Sequence, residues 1–431
     1  MHLDQATPEQ LRALEAALNE QYQAIQQEGL NLDLTRGKPS ADQLALSNAL
    51  DGILQGNYTD SSGTDLRNYG GLTGIPEARA LFSQMIGVKP DEILIGGNSS
   101  LSLMYFAVQT CMYHDFAGEG SAWHTAANGG KAGVIKFLAP VPGYDRHFTV
   151  CQHLGIELIQ VAMNDDGPDM DQVEALLAAD PDIKGIWCVP RFANPTGCVY
   201  SDAVVQRFAQ LGKIAGPNFR IFWDNAYAVH SLSDNAPALA NLMDSCRAAG
   251  TEDSVLIFGS TSKITFAGAG VAFMGGSVAN MQAMQHHMGF SSIGPDKINQ
   301  LRHVYFLKDM DTLNAHMRKH AEIMRPRFEA VLTRLDSELS GTGMGTWTRP
   351  EGGYFISFDS RPGLAREIVK LSASAGVKLT PAGATFPYGD DPEDKNIRLA
   401  PSFPKLGELE KATEVFVACV KLASVRQALA S

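Results

Sequence analysis

The sequence predicts an α/β protein with a mostly parallel central sheet and a second, smaller α+β domain. From about residue 75 to residue 263, helical segments alternate with short apolar strands, a pattern typical of βαβ units. Several of these strands run directly into glycine-rich or polar turns, as strands do at the ligand-binding edge of a parallel sheet. From about residue 312 the pattern changes to a long amphipathic helix followed by antiparallel strands.

The amino-terminal segment predicts one helix and one extended stretch. Residues 8–28 carry leucine and isoleucine at helical spacing, and Thr7 stands where an N-cap is expected. Residues 32–40 are extended and break at a Gly/Pro turn, in which two cations flank the glycine of Arg36-Gly37-Lys38.

Residues 49–311 predict the large α/β domain. Its strands are short apolar runs, expected at 92–95, 136–138, 156–159, 185–190, 219–224 and 255–258. Its helices are expected at 76–86, which has proline in its first turn, and at 101–112 and 170–178. The Gly/Ala-rich residues 117–133 predict a mobile loop.

Residues 312–431 predict the small α+β domain, and we expect the segment 1–48 to join it. Helices are expected at 312–340, 364–376 and 406–428. Strands are expected at 346–348, 353–358, 377–379 and 396–399.

Composition and charge exclude several classes of function. The 431 residues include 35 Lys and Arg against 47 Asp and Glu, and the net charge of −12 argues against a nucleic-acid-binding protein. The six cysteines have neither CxxC nor zinc-site spacing, which favours free thiols in a reducing compartment. The sequence has no signal-peptide pattern and no apolar run near the roughly 18 residues that span a bilayer. We therefore expect a soluble, cytoplasmic protein without a metal.

Four strand ends in the large domain carry chemically useful side chains. Because carboxyl ends of parallel strands share one edge, we expect these side chains to line one crevice. They are Asn98-Ser99-Ser100, Asn194, Asp224 with Tyr227, and Ser260 with Lys263. A buried carboxylate such as Asp224 needs a cationic partner, for which a protonated ring nitrogen would serve. A lysine neutralised by its site can form a Schiff base, although from its own stretch alone Lys263 reads equally well as a surface residue.

In their order along the chain, these turns resemble the fold-type I, pyridoxal phosphate-dependent aminotransferases of class I/II. The resemblance covers nearly the whole chain and implies a three-layer fold of that class. It rests on eight motifs: Tyr69-Gly70 with Gly74, Asn98-Ser99-Ser100, Tyr144, Asn194-Pro195-Thr196-Gly197, Asp224-Asn225-Ala226-Tyr227, Ser260-Thr261-Ser262-Lys263, Gly352-Gly353-Tyr354-Phe355 and Arg398. Each motif alone has an ordinary structural explanation, and the second of the Asn motifs by itself is only a β-turn.

The resemblance implies a role for each matching residue. Lys263 would bind pyridoxal phosphate as a Schiff base and then move the substrate proton, with Asp224 on the ring nitrogen. Asn194 and Tyr227 would hydrogen-bond the ring oxygen, and Tyr144 would stack on the ring. The catalytic set is therefore Lys263, Asp224 and Tyr227. The phosphate would be held by Asn98, Ser99, Ser100, Ser260 and Ser262, with Tyr69 reaching it from a neighbouring subunit.

On the substrate side, the resemblance implies that Arg398 takes the α-carboxylate as a bidentate pair, with Gly37 and Asn194 alongside. A dicarboxylate substrate needs a second cation. The candidates in the sequence are Arg36, Lys38, Arg146 and Arg191. We favour Arg36 and Arg146, because each adjoins a residue already assigned to the site.

One stretch departs from the family pattern. Many relatives carry a phosphate-binding arginine seven or eight residues after the lysine, where this chain has Gly270 and Val271. The tract 264–271 resembles a divergent subgroup that includes bacterial aspartate aminotransferases. The resemblance implies L-aspartate and 2-oxoglutarate as substrates, ping-pong kinetics and a homodimer with shared sites. The phosphate charge would be met by backbone N–H groups, hydroxyls or another cation.

Other functions stay open at this point. An aromatic or kynurenine-type amino donor is the second choice of substrate. The same scaffold also supports C–S lyases and decarboxylases, which need no oxo acid. A regulator with an aminotransferase-like domain would need a DNA-binding module before Leu32, and the roughly 30 preceding residues of this acidic chain leave no room for one.

Overall fold

The structure is a computed structural model that describes residues 2–126 and 134–430. The predicted α/β fold with a mostly parallel central sheet is confirmed. The strands over these residues are β1 (Leu32–Asp33), β2 (Ile93–Ile95), β3 (Lys136–Val141), β4 (Glu157–Asn164), β5 (Gly167–Pro168), β6 (Ile183–Cys188), β7 (Arg220–Asp224), β8 (Val255–Ser260), β9 (Ala272–Gly276), β10 (Gly345–Trp347), β11 (Ile356–Ser360), β12 (Val377–Lys378) and β13 (Asn396–Leu399).

The helices cover the sheets and connect their strands. Over the same residues they are α1 (Pro8–Gln27), α2 (Ala41–Ala45), α3 (Pro76–Ile86), α4 (Ser100–Tyr113), α5 (Trp123–Ala126), α6 (Asp145–His153), α7 (Met170–Ala179), α8 (Asp202–Phe208), α9 (Leu211–Ile214), α10 (Leu242–Ala249), α11 (Val278–Met288), α12 (Lys297–Leu307), α13 (Met310–Leu339), α14 (Ala365–Ser374) and α15 (Leu406–Ala430).

The central sheet has eight strands in the order β2-β9-β8-β7-β6-β3-β4-β5. The run β8-β7-β6-β3-β4 is parallel throughout, whereas β9 is antiparallel to both of its neighbours and β5 is antiparallel to β4. β2 therefore points in the same direction as β8. As a result, the carboxyl ends of β2, β8, β7 and β6 all meet at one edge of the sheet.

Strand β9 was missed by the sequence analysis. Its five residues end in two glycines, so their intrinsic preference for a strand is weak. They form a strand because β2 and β8 pair with them on either side. Ser260 lies opposite Ala272, so residues 261–271 connect two adjacent antiparallel strands. Thr261 closes the base of this connection, because its N–H donates to the Val271 carbonyl at 2.8 Å and its Oγ1 accepts from the Val271 N–H at 2.9 Å.

Both faces of the central sheet are buried under apolar side chains. On one face Phe82 of α3 stacks on Phe273 of β9, with ring centroids 4.7 Å apart. On the other face Phe137, Trp187 and Phe222 come from three neighbouring strands and pack against one another. Parallel strands covered on both faces appear in a sequence as continuous apolar runs, which is why most of these strands were predictable.

Side-chain caps define where the first helices begin. Thr7 caps α1 as predicted: its Oγ1 accepts from the Gln10 N–H at 3.2 Å, and Gln10 Oε1 accepts from the Thr7 N–H at 2.8 Å. Ser99 caps α4 and accepts from the Ser102 N–H at 3.3 Å. The amino terminus of α4 thus lies directly after β2, at the edge of the sheet where the predicted site residues gather.

The carboxyl-terminal part of the chain forms an antiparallel sheet in the order β10-β11-β13. The strand predicted at 353–358 begins only at Ile356, because Gly353 has a φ of +78° and bends the chain before it. β1 pairs in parallel with β12, and α1 packs on α15. These contacts support our proposal that residues 1–48 belong with residues 312–431, while residues 49–311 form the large domain.

The predicted mobile loop at 117–133 is only partly described. Ser121 Oγ accepts from the Ala117 N–H at 2.8 Å, and α5 follows. Residues 127–133 lie outside the described residues, so the prediction stands untested there. None of the helices in 2–126 and 134–430 is long and apolar enough to cross a membrane. The same residues contain no cluster of His, Cys, Asp and Glu that would hold a metal ion.

The packing of β6 on β3 gives a stability prediction. A Cβ on Gly185 would lie 2.4 Å from Cζ of Phe137 in the buried sheet. We expect Gly185→Ala to lower the free energy of unfolding by about 1–3 kcal/mol, because the core is already filled. The midpoint of unfolding in urea measures this change. Gly407→Ala on α15, where the added Cβ meets open space, is the matched control and should cause no loss. An unchanged midpoint for Gly185→Ala would contradict the packing.

Candidate active site

The predicted strand-end residues meet in one crevice at the carboxyl edge of the central sheet. Asn98, after β2, donates from Nδ2 to the Gly268 carbonyl at 3.0 Å, and Ser262 Oγ donates to the Asn98 carbonyl at 3.4 Å. The Lys263 amine lies 5.0 Å from the centroid of the Tyr227 ring. The turns after β2, β7 and β8 are therefore neighbours, as their shared strand direction requires.

Asp224 is the buried carboxylate of the site. It ends β7, is only 2% exposed, and accepts from Nε2 of His147 through Oδ2 at 2.9 Å. The other oxygen, Oδ1, has no hydrogen-bond partner among the described residues. A buried carboxylate oxygen without a donor is costly, so this position fits a protonated ring nitrogen, as pyridoxal phosphate has.

His147 was not singled out by the sequence analysis. It lies on α6 three residues after Tyr144, and its ring stacks on Trp187 with centroids 4.4 Å apart. Tyr144 packs edge-on against the same imidazole at 4.9 Å. A polar residue three positions after a predicted ring-stacking residue shares its helix face, and this spacing was the available signal. The result is that the His147 imidazole is held in place toward Asp224 from two sides.

Lys263 lies half-buried in the connection between β8 and β9. Loss of water around its amine lowers its pKa, and the negative charge of Asp224 opposes that shift. The rings of Tyr227 and Tyr354 lie 5.0 and 6.0 Å from the amine and form the apolar wall beside it. A lower pKa keeps more of the amine in its neutral, nucleophilic form.

Buried histidines hold the backbone at Lys263 and Ile264, and sequence reasoning missed them. The Lys263 carbonyl accepts from His230 Nε2 at 3.3 Å. The Ile264 carbonyl accepts from Nε2 of His316 at 2.7 Å and of His320 at 3.0 Å, both on α13. Burial lowers the pKa of His230 to about 3 and that of His320 to about 4. These imidazoles are thus neutral donors that fix the main chain at the lysine.

Hydroxyl groups and a helix start lie beside the lysine. Ser260 Oγ donates to Ser262 Oγ at 3.1 Å, and Ser99 and Ser100 begin α4. The first N–H groups of a helix lack partners within it and attract an anion. The side chain of Asn98 is exposed at the same edge. The arrangement fits a phosphate bound without an arginine.

The glycine where many relatives have arginine has a packing reason in this chain. A Cβ on Gly270 would lie 2.9 Å from Thr261 Oγ1 and 3.2 Å from the Phe266 carbonyl oxygen. Asn299 Nδ2 donates to the carbonyls of Ala269 and Gly270 at 3.0 Å each. The loop closes too tightly at this point for a larger side chain without local movement.

Arg398 comes to the crevice from β13 of the three-stranded sheet. Its Nη1 donates to Asn194 Oδ1 at 3.2 Å and to Asp145 Oδ1 at 2.9 Å. The guanidinium lies over the Phe355 ring, 4.9 Å from its centroid, and Nε is buried without a partner in the described residues. Phe355 also occupies the space a side chain at Gly37 would need, with Cζ 2.2 Å from the ideal Cβ position. Gly37 and Asn194 are therefore close to Arg398, as expected.

The remaining predicted residues differ in their exposure and in their hydrogen-bond partners. Arg36 and Arg146 are exposed and have no ion pair among the described residues. Arg191 instead donates to the Ala228 carbonyl and, from Nη2, to Ser231 Oγ at 3.1 Å, so it is already engaged. Tyr69 is 84% exposed, and its N–H donates to Asn68 Oδ1 at 2.9 Å.

A lysine in a strand connection beside a buried carboxylate, with an arginine reaching in from a second sheet, defines a class of enzyme. The class is the fold-type I aminotransferases, which depend on pyridoxal phosphate. Residues 6–431 match the family model described as aspartate amino-transferase. The chain belongs to this family.

A sequence comparison and a structure comparison each find similarity to a Corynebacterium glutamicum protein over almost the whole chain. An aspartate aminotransferase is 42% identical over 408 residues, which cover 94% of this chain and 93% of the relative. The crystal structure of an aspartate transaminase superposes with a TM-score of 0.94 at 41% identity, covering 99% of both chains.

A more distant structure shares the fold. LysN, an α-aminoadipate aminotransferase of Thermus thermophilus in complex with N-(5'-phosphopyridoxyl)-L-leucine, gives a TM-score of 0.74 at 21% identity, covering 91% of this chain and 92% of its own.

The buried histidines predict a pH dependence of stability. His230 and His320 stay neutral in the folded chain but protonate in the unfolded chain below about pH 6.5. The unfolded state therefore binds more protons between about pH 4 and 6.5, and stability falls as the pH drops through this window. We expect His320→Gln to reduce the slope of unfolding free energy against pH by up to about 1.4 kcal/mol per unit. Urea unfolding at several pH values measures the slope, with exposed His153→Gln as control. An unchanged slope in His320→Gln would contradict the buried, neutral imidazole.

Proposed function

We propose that this protein transfers the amino group of L-aspartate, or of a closely related amino acid, to 2-oxoglutarate. The observation that carries the proposal is Arg398, whose guanidinium lies beside Asn194 and whose buried Nε has no partner within 2–126 and 134–430. An arginine presents parallel N–H groups that match a carboxylate. The 42% identity to a protein named aspartate aminotransferase supports the choice of substrate.

The cofactor is assigned to residues whose polar atoms need partners. When bound, pyridoxal phosphate supplies the electron sink for the charge that develops on the substrate Cα. Asp224 Oδ1 would pair with the ring nitrogen, since this oxygen is buried and has no partner among the described residues. Asn194 and Tyr227 would hydrogen-bond the ring oxygen, and Tyr144 would lie on the ring face. The phosphate would be held by Asn98, Ser99, Ser100, Ser260 and Ser262.

Lys263 performs the proton transfer. Burial lowers the pKa of its amine, so the amine accepts the proton from the substrate Cα and donates it again without a large energy cost. The Tyr227 and Tyr354 rings exclude water on one side of Nζ. Because the first oxo acid leaves before the second one binds, we expect ping-pong kinetics.

Arg36 and Arg146 are assigned to the distal carboxylate of a dicarboxylic substrate. Both side chains are exposed and unpaired among the described residues, and each adjoins a residue of the site, Gly37 or Tyr144. Arg191 is a weaker choice, because it is already bonded to the main chain at Ala228.

We further propose a cytoplasmic homodimer with shared sites. Tyr69 lies in a groove that also contains exposed Ile293, and Phe290 near it in the chain is 81% exposed. A second copy would cover these side chains and bring Tyr69 to the phosphate of its partner. The six cysteines are buried free thiols, which suits a reducing compartment.

A spectral titration tests the reaction. The purified protein should show the visible absorbance of a lysine-bound cofactor. This band should disappear with L-aspartate and return with 2-oxoglutarate. If the band responds only to aromatic amino acids or kynurenine, the amino donor is one of these and not aspartate. If pyruvate or CO₂ is released without an added oxo acid, the reaction is that of a lyase or decarboxylase. No band after adding pyridoxal phosphate would contradict the whole proposal.

The selectors of the distal carboxylate are tested separately. We expect Arg36→Gln and Arg146→Gln each to raise KM for aspartate by about tenfold or more, because a hydrogen bond to a charged group contributes about 1.5–3 kcal/mol. KM for alanine should stay within about twofold. Lys38→Gln is the matched control, since the Lys38 amine lies over the Phe403 ring at 3.8 Å. A residue whose loss leaves the aspartate-to-alanine ratio unchanged is not a selector.

A further inference from the structure

Asp145 is a carboxylate that no predicted role accounts for. It is the first residue of α6, one third exposed, and its Oδ1 accepts from Arg398 Nη1 at 2.9 Å. The side chain of Arg398 is 8% exposed, so this is a largely desolvated ion pair on the arginine assigned to the substrate. The amino terminus of α6 stabilises a negative charge at this position.

The hydrogen bonds determine which edge of Arg398 is available. Nη1 carries two hydrogens, and it has two acceptors, Asp145 Oδ1 and Asn194 Oδ1. Nε is buried and unpartnered in the described part of the chain. One edge of the guanidinium, formed by Nε and Nη2, therefore remains for a carboxylate that binds with both of its oxygens.

Asp145 has two opposite effects on such a carboxylate. Its hydrogen bond to Nη1 fixes the orientation of the guanidinium and leaves the Nε edge without a partner among the described residues, which favours binding of a carboxylate there. Asp145 and the incoming carboxylate would both bind the same guanidinium, and two anions next to one cation repel each other. Around the neighbouring Tyr144, the charge of Asp224 acts in the same direction as that of Asp145, and the charge of exposed Arg146 opposes both.

We propose that Asp145 is a positioning residue that orients Arg398 and also limits the affinity of the site for carboxylates. The proposal rests on the assignment of Arg398 to the substrate carboxylate. Substrate, product and transition state all carry this carboxylate, so tighter binding of it would lower KM without speeding the chemical step. With its charge partly neutralised by Asp145, Arg398 still orients the substrate carboxylate but releases the oxo acid more readily.

The experiment compares two substitutions of Asp145 in the holoenzyme. Asp145→Asn keeps an oxygen acceptor for Nη1 and removes the charge, whereas Asp145→Ala removes both. The probe is succinate, an unreactive dicarboxylate, whose Kd is measured by the change in the cofactor absorbance or by calorimetry. Steady-state kinetics with aspartate and 2-oxoglutarate give KM and kcat separately. Asp171→Asn, which removes an equal charge from a surface pair with Arg207, is the matched control.

We expect Asp145→Asn to bind succinate about three- to tenfold more tightly than the wild type and to lower KM for both substrates. Asp145→Ala should bind succinate about tenfold more weakly than Asp145→Asn, because Arg398 loses its fixed orientation. If Asp145 had only a structural role, both variants would bind succinate more weakly than the wild type and both would have a lower kcat.

Several results would overturn the proposal. If Asp145→Asn binds succinate no more tightly than the wild type, the charge of Asp145 does not limit carboxylate binding. If Asp145→Asn and Asp145→Ala bind succinate equally tightly, Asp145 does not orient Arg398. Arg398→Gln separates this failure from that of the proposed function: if it leaves succinate binding unchanged, Arg398 is not the carboxylate site at all.

Discussion

The burial of Asp224 is the constraint on which the rest of the site depends. A carboxylate at the end of an apolar strand loses its hydration and must regain hydrogen bonds from the protein or from a ligand. His147 supplies one of them at 2.9 Å, and the stacking of His147 on Trp187 explains why the imidazole stays there. The second oxygen remains without a donor among the described residues. The described residues leave this carboxylate incompletely satisfied, and a cationic ring nitrogen would complete it.

Helix α6 connects this constraint to the substrate side of the crevice. Its first turn carries Asp145 and His147, one facing Arg398 and the other Asp224. Tyr144, at the N-cap position, packs on the same imidazole. Within four consecutive residues, Asp145 thus contacts the residue assigned to the substrate and His147 contacts the residue assigned to the cofactor. A small rotation of this one turn would alter both contacts together.

Much of the fold was predictable because it depends on local pattern. Apolar runs gave β2, β6, β7 and β8, and the polar residues after them gave the site, since parallel strands end at one edge. What was missed depends on contacts between distant residues. β9 becomes a strand only through β2 and β8, and the pairing of Asp145 with Arg398 joins residues 253 positions apart.

The histidines on α13 illustrate the same limit. In the sequence, His316 and His320 look like ordinary polar positions on an amphipathic helix. Only the fold brings them to the Ile264 carbonyl, which lies 52 and 56 positions away along the chain. Residue type and spacing on one helix do not reveal a partner that lies on another element. The groups that we propose to react could therefore be located from local pattern, but not the groups that hold them.

The pairing of β1 with β12 has a consequence for how the chain is made. α1 and β1 are synthesised long before their partners α15 and β12. The apolar face of α1, with Leu11, Leu18 and Ile25, must stay uncovered while more than three hundred residues are added. The central sheet contains only residues between β1 and β12, so none of its strands depends on these two as a partner. Arg398 lies on β13, so the crevice is complete only once residue 398 has been added, later than every strand of the central sheet.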